Sequence, residues 1–206
     1  DTLRPPLDQG VRVGITYTPG LRPGMLMLGG PRRELFDSVR AIIARDLDFS
    51  DRFEMISLPG ADSLVLTVGM SRSRPPAGQA RSGGAQDTYV NYALYDALGA
   101  AYAVNVLVAP DSTLLVTVYD VRGQGVRQAV PLRVTSVSPP GFRMAVHRVS
   151  DEVVRAAGGS PGIAATQLLI IQHGRVYRID ADGAEAVPLS PAGGNAMSPT
   201  WAPDGR

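Results

Sequence analysis

The sequence predicts an α/β (α+β) fold in which a mixed β-sheet is packed by two to three helices and followed by a short all-β segment. Two observations predict this class. Helix-like and strand-like stretches alternate up to residue 159, whereas only strand-like stretches follow residue 162. The longest amphipathic helix, predicted over 139–159, lies where the first pattern gives way to the second. Both parts of the chain are therefore expected to pack around this helix.

The stretch 139–159 has the periodicity of a helix that docks on a sheet. Its apolar stripe consists of Phe142, Ala145, Val146, Val149, Val153 and Ala156. Two prolines suit its first turn, and two glycines suit a left-handed end. On the opposite face, a spacing of four residues predicts pairing of His147 with Asp151 and of Arg148 with Glu152. Two apolar side chains lie close to that face, so a second packed body is expected to cover part of it.

The part of the chain before this helix is predicted to form an α/β domain, residues 11–160. Strands are predicted over 11–18, 25–28, 53–58, 62–70, 102–108, 113–121 and 126–135. Helices are predicted over 31–47 and 87–98. The second of these carries Tyr89, Tyr92 and Tyr95 at helical spacing, a row that is more typical of core packing than of a ligand-binding site.

Two segments lack the apolar periodicity of regular structure. Residues 1–10 contain two prolines, which predicts an extended arm. Residues 71–86 (SRSRPPAGQARSGGAQ) have almost nothing to bury, which predicts a flexible surface loop.

After the helix, the all-β segment 163–206 is predicted to contain strands over 165–172, 175–180, 186–189 and 196–206, the last ending in a tight Asp-Gly turn.

Composition excludes several functions. Twenty basic and nineteen acidic residues leave a net charge of +1, so no broad attraction to nucleic acid or to an anionic membrane is expected. The chain has no cysteine, which excludes disulfides and thiolate chemistry. No apolar run approaches the roughly 20 residues of a membrane-spanning helix. The sequence begins at Asp1 without methionine, as a mature exported protein would after removal of its signal peptide.

No catalytic, cofactor-binding or metal site is predicted. His147, Ser150 and Asp151 are the residue types of a hydrolytic triad, but they share barely one helical turn and point in different directions. The chain has only two histidines, which form no readable metal cluster. The run 180–185 (DADGAE) resembles part of a calcium loop, but it lacks the remaining ligands and a hairpin turn is the preferred interpretation.

Several motifs carry a family resemblance. Residues 197–205 (MSPTWAPDG) resemble the S-P-x-W-S-P-D-G repeat of TolB-type β-propellers. Residues 147–152 (HRVSDE), 159–162 and Thr166 are similar to the TolB helix H-x-x-S-D-E, its G-x-x-G exit and the threonine that begins the propeller. Weaker similarity to the amino-terminal domain of TolB occurs at 97–99 and 11–13. The resemblance implies that 11–160 correspond to that domain and that 163–206 correspond to part of a first propeller blade.

The resemblance also implies a function. TolB is a periplasmic part of the Tol-Pal envelope system, whose amino-terminal segment and α/β domain contact TolA and whose propeller engages the lipoprotein Pal. A similar role here would be non-enzymatic, with TolA- or Pal-like protein partners and no membrane insertion by this chain. We expect the arm and first strand to bind a partner through Val11, Arg12, Val13 and Ile15 by strand addition.

Two other interpretations remain open. The chain covers about one blade of a several-bladed propeller, so it is also expected to suit a structural subunit of a larger envelope or membrane-protein complex, in which neighbours cover the open blade. Similar repeats occur in propeller-bearing peptidases, but the sequence has no Gly-x-Ser-x-Gly motif, which disfavours a peptidase fragment.

Overall fold

The computed structural model describes residues 22–30, 33–56, 90–109, 111, 113–138 and 141–203. Within these ranges the elements, in chain order, are β1 (Gly24–Met27), α1 (Glu34–Phe49), β2 (Glu54–Ile56), α2 (Tyr92–Ala97), β3 (Ala100–Val108), β4 (Leu114–Asp120), β5 (Gly125–Leu132), α3 (Phe142–Gly158), β6 (Gln167–Gln172), β7 (Arg175–Asp180) and β8 (Val187–Pro188). They form a five-stranded sheet in the order β2-β1-β3-β4-β5 and a separate three-stranded sheet in the order β6-β7-β8. The predicted fold class is confirmed.

The larger sheet is mixed because two kinds of connection build it. Strand β1 is parallel to β2 and to β3, and α1 lies between β1 and β2 in the chain. Strands β3, β4 and β5 form an antiparallel meander. Its register places Val104 beside Val118 and Val106 beside Val116, so four β-branched side chains share one face of the sheet.

Helices cover both faces of this sheet. Helices α1 and α3 pack on the face that carries the four valines, and Ile43, Leu47, Val146 and Val153 are fully buried in that core. Each such side chain contributes about 1.5–3 kcal/mol of burial free energy. Helix α2 covers the other face with a smaller cluster around Tyr95.

Helix ends follow local side-chain and backbone chemistry. Helix α3 begins after Gly141 (φ 80°) and ends at Gly159 (φ 82°), so the left-handed carboxyl end predicted from the glycines is confirmed. Helix α2 is shorter than predicted because Asn91 caps it, its side chain accepting a hydrogen bond from the backbone N–H of Leu94 at 3.1 Å. Tyr95 is fully buried and Tyr92 packs against the same cluster, which agrees with a core role for these two tyrosines, and Tyr89 lies outside the described residues.

The strand predicted over 196–206 is not formed in the described part, residues 196–203. One backbone hydrogen bond ties this segment to the three-stranded sheet, from Ala196 N–H to Gly174 O at 2.9 Å. Pro199 and Pro203 have no N–H to donate to a ladder, which explains the absence of regular pairing. No helix in the described ranges combines the length and the apolar character that crossing a bilayer requires.

Several predicted features lie outside the described residues. They are the arm 1–10, the strands over 11–18 and 62–70, and the loop 71–86.

Candidate functional site at the junction of the two sheets

Helices α1 and α3 both contact the three-stranded sheet, through the turn after β7. One side of α3 packs on the larger sheet, and the other side carries His147, Ser150 and Asp151, of which the first two are fully buried. Val154, one of the two apolar residues near this side, is buried in the core that α1 shares. The loop after α3 covers part of the polar face at Asp151, as predicted, and α1 covers another part through Asp46. We treat the junction as the candidate functional site.

Asp151 ties the exit of α3 to the start of the second sheet. Its carboxylate accepts hydrogen bonds from the backbone N–H groups of Ala164 at 2.7 Å and Ala165 at 3.0 Å. Its backbone oxygen accepts a third from Gly162 N–H at 3.2 Å. A Cβ at position 162 would lie 2.4 Å from Oδ1 of Asp151, so only glycine fits there without movement. The aspartate and the glycine thus form one turn.

These contacts correct the predicted polar pairs along α3. Asp151 is engaged by the loop and not by His147, because the loop offers two N–H groups that need an acceptor. Glu152 pairs with Arg155 at 3.2 Å and not with Arg148. Spacing along one helix found the polar face but could not identify partners from elsewhere in the chain.

His147 lies at the centre of a buried charged cluster. Its Nδ1 lies 2.8 Å from Oδ2 of Asp46, which α1 supplies. Its Nε2 lies 3.9 Å from Oδ2 of Asp182, in the turn after β7. A carboxylate oxygen of Asp180, the last residue of β7, lies within 4.8 Å of a ring nitrogen of His147 and of a carboxylate oxygen of Asp182. The imidazole therefore connects α1, α3 and the three-stranded sheet.

Two arginines hold the same turn. Arg143 of α3 donates a hydrogen bond to Oδ2 of Asp182. Arg45 of α1 donates to the backbone oxygen of Asp182 at 3.0 Å, and its guanidinium lies 3.8 Å from Oδ2. The side chain of Asp182 is only 3% exposed, and its Oδ1 accepts a hydrogen bond from Ala184 N–H at 3.0 Å. Three cationic or titratable side chains from two helices thus converge on one carboxylate.

The electrostatics of the cluster favour charged forms. Burial is the largest influence on His147 and opposes its charge, but the hydrogen bond to Asp46 and the charges of Asp46 and Asp182 outweigh burial and raise the pKa of His147 above 6.5. Burial likewise opposes ionisation of Asp182. The hydrogen bond from Ala184 and the charges of Arg143, His147 and Arg45 together lower the pKa of Asp182 below 3.8.

The donor set of the cluster raises the question of a metal ion. One histidine and two carboxylates, His147, Asp180 and Asp182, are donors that zinc or manganese binds. However, Arg143 donates to the same Oδ2 of Asp182 that would bind the ion, so a positive charge already neighbours that oxygen. The arrangement suits a charge-paired junction and does not suit a metal centre.

The residues that resemble a hydrolytic triad do not form one. Ser150 Oγ donates to the backbone oxygen of Val146 at 3.2 Å, as hydroxyls in helices often do. The imidazole of His147 is bound to Asp46, and the carboxylate of Asp151 is bound to the loop. Each of the three side chains therefore has a partner outside this group.

A cleft of about 270 Å³ opens beside the cluster. The end of α1, helix α3, the loop after α3 and the turn after β7 line it, and both Asp46 and Asp182 contribute to its wall. Two apolar side chains at the cleft are exposed, Phe49 at 60% and Ile163 at 67%. Two of the three aspartates of the buried cluster, Asp46 and Asp182, therefore line a space that solvent can enter.

The predicted partner-binding residues Val11, Arg12, Val13 and Ile15 lie outside the described residues, so their role stays a prediction. Sequence reasoning did not identify the junction residues Asp46, Arg143 and Asp182. One signal was present: Asp46 follows Val39 by seven positions, so it lies on the apolar stripe of α1, where a carboxylate requires a buried partner. Asp182 lies in the run 180–185, which the sequence analysis interpreted as a hairpin turn, and Arg143 carried no comparable signal.

Comparison with known proteins gives a consistent picture. No family model matches the chain. It is 34% identical over 76 residues to the Tol-Pal system protein TolB of Nitrosospira multiformis, and 35% identical over 92 residues to that of Anaeromyxobacter sp. strain K. These matches cover 35% and 43% of this chain but only 17% and 20% of those relatives. The chain thus matches about a fifth or less of their length.

The fold shows the same similarity over a longer stretch. The crystal structure of TolB from Acinetobacter baumannii superposes with a TM-score of 0.64 and covers 90% of this chain and 42% of that one. Sequence identity in the superposition is 19%, so this comparison supports the fold alone. The sequence matches and the shared architecture together confirm the predicted resemblance: the chain is a relative of the TolB family.

Proposed function

We propose that this chain is a non-enzymatic, periplasmic protein-interaction module of the Tol-Pal type. The observation that carries the proposal is the coincidence of the TolB-like motif with the junction. The aspartate and glycine of that motif, Asp151 and Gly162, are the residues that join α3 to the three-stranded sheet. The curated relatives that the chain matches are Tol-Pal system proteins, and this similarity supports the same class of function for this chain.

The chemistry of the junction supports a binding role over an enzymatic one. His147 is bound to Asp46, and Asp182 is bound to Arg143 and Arg45. Ser150 donates to a backbone oxygen. A general base must lie within hydrogen-bond reach of the proton that it abstracts, whereas His147 and Ser150 are each bound to another partner. The described polar cluster is instead arranged to hold two layers of structure together.

Two surfaces would provide the binding. The arm and first strand would add to a partner's sheet through Val11, Arg12, Val13 and Ile15, since main-chain hydrogen bonds supply affinity and alternate side chains supply selectivity. The three-stranded sheet would provide the second surface. It exposes apolar side chains that a partner or further sheet would cover, namely Leu168, Ile171, Val187 and Leu189.

Direct binding measurements test the proposal. The chain would be immobilised and titrated with purified TolA-type and Pal-type periplasmic proteins, beside a variant that lacks residues 1–10 and a double variant Val11→Asp/Ile15→Asp. A matched control is Val126→Asp on β5, because Val126 is 61% exposed and lies on the larger sheet. We expect at least about a tenfold loss of affinity for one partner in the arm variants, equivalent to about 1.4 kcal/mol, and no loss in the control.

If the wild-type chain binds neither partner, the proposed Tol-Pal function is wrong. If it binds and the arm variants bind equally well, the arm is not the binding surface.

A structural subunit of a larger envelope complex is the second candidate. The exposed apolar side chains of the three-stranded sheet favour it, because surfaces that are permanently covered by another subunit are more hydrophobic than surfaces exposed to solvent. Stoichiometric co-purification with membrane proteins from native envelope would support this role. Recovery of the chain alone would contradict it.

A further inference from the structure

We propose that His147 is a proton-operated latch that holds the three-stranded sheet against α1 and α3. The latch would be closed while the imidazole is doubly protonated and would weaken when Nε2 loses its proton. This inference is independent of the partner-binding proposal above, because it concerns only how the two layers of this chain stay together.

The geometry assigns different roles to the two ring nitrogens. Nδ1 is 2.8 Å from a carboxylate oxygen of Asp46, so it carries a hydrogen in both protonation states and stays bound to α1. Nε2 faces Asp182 at 3.9 Å and has no hydrogen-bond partner among the described residues. Titration of His147 therefore adds or removes the proton on Nε2, and this nitrogen faces the three-stranded sheet.

Charged groups on each element packed around His147 determine whether its Nε2 is protonated. Helix α1 contributes Asp46 and Arg45, α3 contributes Arg143, and β7 with its turn contributes Asp180 and Asp182. These are three carboxylates and two guanidinium groups, so the cluster is neutral only when His147 carries a positive charge. A neutral imidazole would leave one buried carboxylate uncompensated, which is costly in this environment.

The groups left uncompensated lie across the junction. One carboxylate oxygen of Asp180, Oδ2, is also buried without a hydrogen-bond partner in the described part of the chain. After loss of the proton, the lone pair of Nε2 would face the carboxylate of Asp182, with Asp180 in the same cluster, while the bond from Nδ1 to Asp46 would remain. Deprotonation therefore weakens the contact with the three-stranded sheet and leaves the contact between the helices in place.

The structure also provides a route for the proton and a hinge for the motion. Asp46 and Asp182 both line the solvent-accessible cleft, so a proton reaches the cluster through their carboxylates. The two hydrogen bonds from Ala164 and Ala165 to Asp151 hold the base of the sheet on α3. Opening of the latch would therefore let the turn after β7 move away while this base stays attached.

The direction of the pH dependence follows from the raised pKa of His147. Protonated His147 stabilises the docked state of the three-stranded sheet fully below about pH 6.5, the ordinary pKa of histidine. This stabilisation is lost as pH rises through the pKa of His147 in the docked state. The ratio of open to docked molecules would rise by at most about tenfold per pH unit over that window.

The first test is nitrogen NMR of the histidine rings in the 206-residue wild-type chain, from about pH 5 to about pH 10. The chain has two histidines, so comparison with His173→Gln assigns the signals of His147. We expect the pKa of His147 to lie above the ordinary histidine value of about 6.5 and its Nδ1 to keep its proton afterwards. A neutral His147 throughout the pH range, or a pKa at or below about 6.5, would overturn the proposal.

The second test measures docking directly. Because the chain has no cysteine, spin labels can be placed at Arg148→Cys on α3 and Ala186→Cys near β8, both exposed positions. We expect one narrow distance at low pH and a second, longer distance that grows as His147 deprotonates. Distances that do not change through the titration of His147 would refute the latch.

Variants separate charge from packing. Asp182→Asn keeps the shape of the turn but removes the charge that Nε2 faces, so the titration of His147 should move down in pH and the distance change should move with it. His147→Gln should abolish the distance change, and His173→Gln is the matched control that should preserve it. Should His147→Gln fail to fold, the wild-type and Asp182→Asn titrations still decide the matter, because an unshifted titration in Asp182→Asn contradicts the proposal.

Discussion

Replacement of Asp151 by alanine tests whether the loop after α3 is what attaches the three-stranded sheet. The carboxylate accepts two backbone hydrogen bonds, at 2.7 Å from Ala164 and 3.0 Å from Ala165. A hydrogen bond to a charged group contributes about 1.5–3 kcal/mol to stability. Asp151 is half-buried, so solvent replaces part of the lost interaction in the variant. We therefore expect a loss of about 2–4 kcal/mol for the docked state of the sheet.

Hydrogen exchange and chemical denaturation measure this loss. Asp151→Ala should lower the protection of the amides of residues 164–166 strongly while amides of β3 and β4 keep theirs. Asp151→Asn, which retains one acceptor oxygen, should lose about half as much. The neighbouring variant Glu152→Ala is the control, because Glu152 pairs only with Arg155 in the described structure and lies outside the loop contact. Equal protection in Asp151→Ala and the control would refute the reasoning.

Three further predictions follow from packing and burial. Gly162→Ala should destabilise the same loop, because its Cβ would lie 2.4 Å from Oδ1 of Asp151. In chemical denaturation, Gly162→Ala should lower the free energy of unfolding less in the Asp151→Ala background than in the wild type, and equal losses in the two backgrounds would contradict the clash. Ile43→Ala should lower the free energy of unfolding by about 2–5 kcal/mol, because Ile43 is fully buried between α1 and the sheet; a loss under about 1 kcal/mol in urea denaturation would mean that this core is looser than described. Burial, with the nearby Tyr92 and Tyr95, raises the pKa of Tyr119 to about 12, so ultraviolet titration of Tyr119→Phe should lack the most alkaline tyrosine step, and its persistence would refute the assignment.

Much of the secondary structure followed from periodicity. The stripe of α3 and the strands of both sheets were predicted because apolar spacing depends on neighbours within one element. Boundaries were less accurate where a cap decided them, as at Asn91, whose side chain caps the amino-terminal end of α2. The terminal strand was wrong because Pro199 and Pro203 outweigh its apolar character.

The candidate site was only partly predictable. The TolB-like motif drew attention to His147 and Asp151, and the face they occupy was expected to be covered. Their actual partners were not found, because Asp46 is 101 positions away from His147 and Asp182 is in a turn of another sheet. A hydrogen bond between residues so far apart in the chain does not change the spacing of apolar residues in either segment, so the sequence pattern does not reveal it.

By itself, then, the sequence determined the order of helices and strands, the change to all-β structure after α3 and the family to which the chain is related. These properties depend on residues close together in the chain, because the helical and strand periods determine which side chains lie on the same face. Only the tertiary structure decided that His147 is buried among Asp46, Asp180 and Asp182, and that Arg45 and Arg143 balance their charge. Burial and charge pairing depend on which distant segments pack together, and that is a property of the assembled fold.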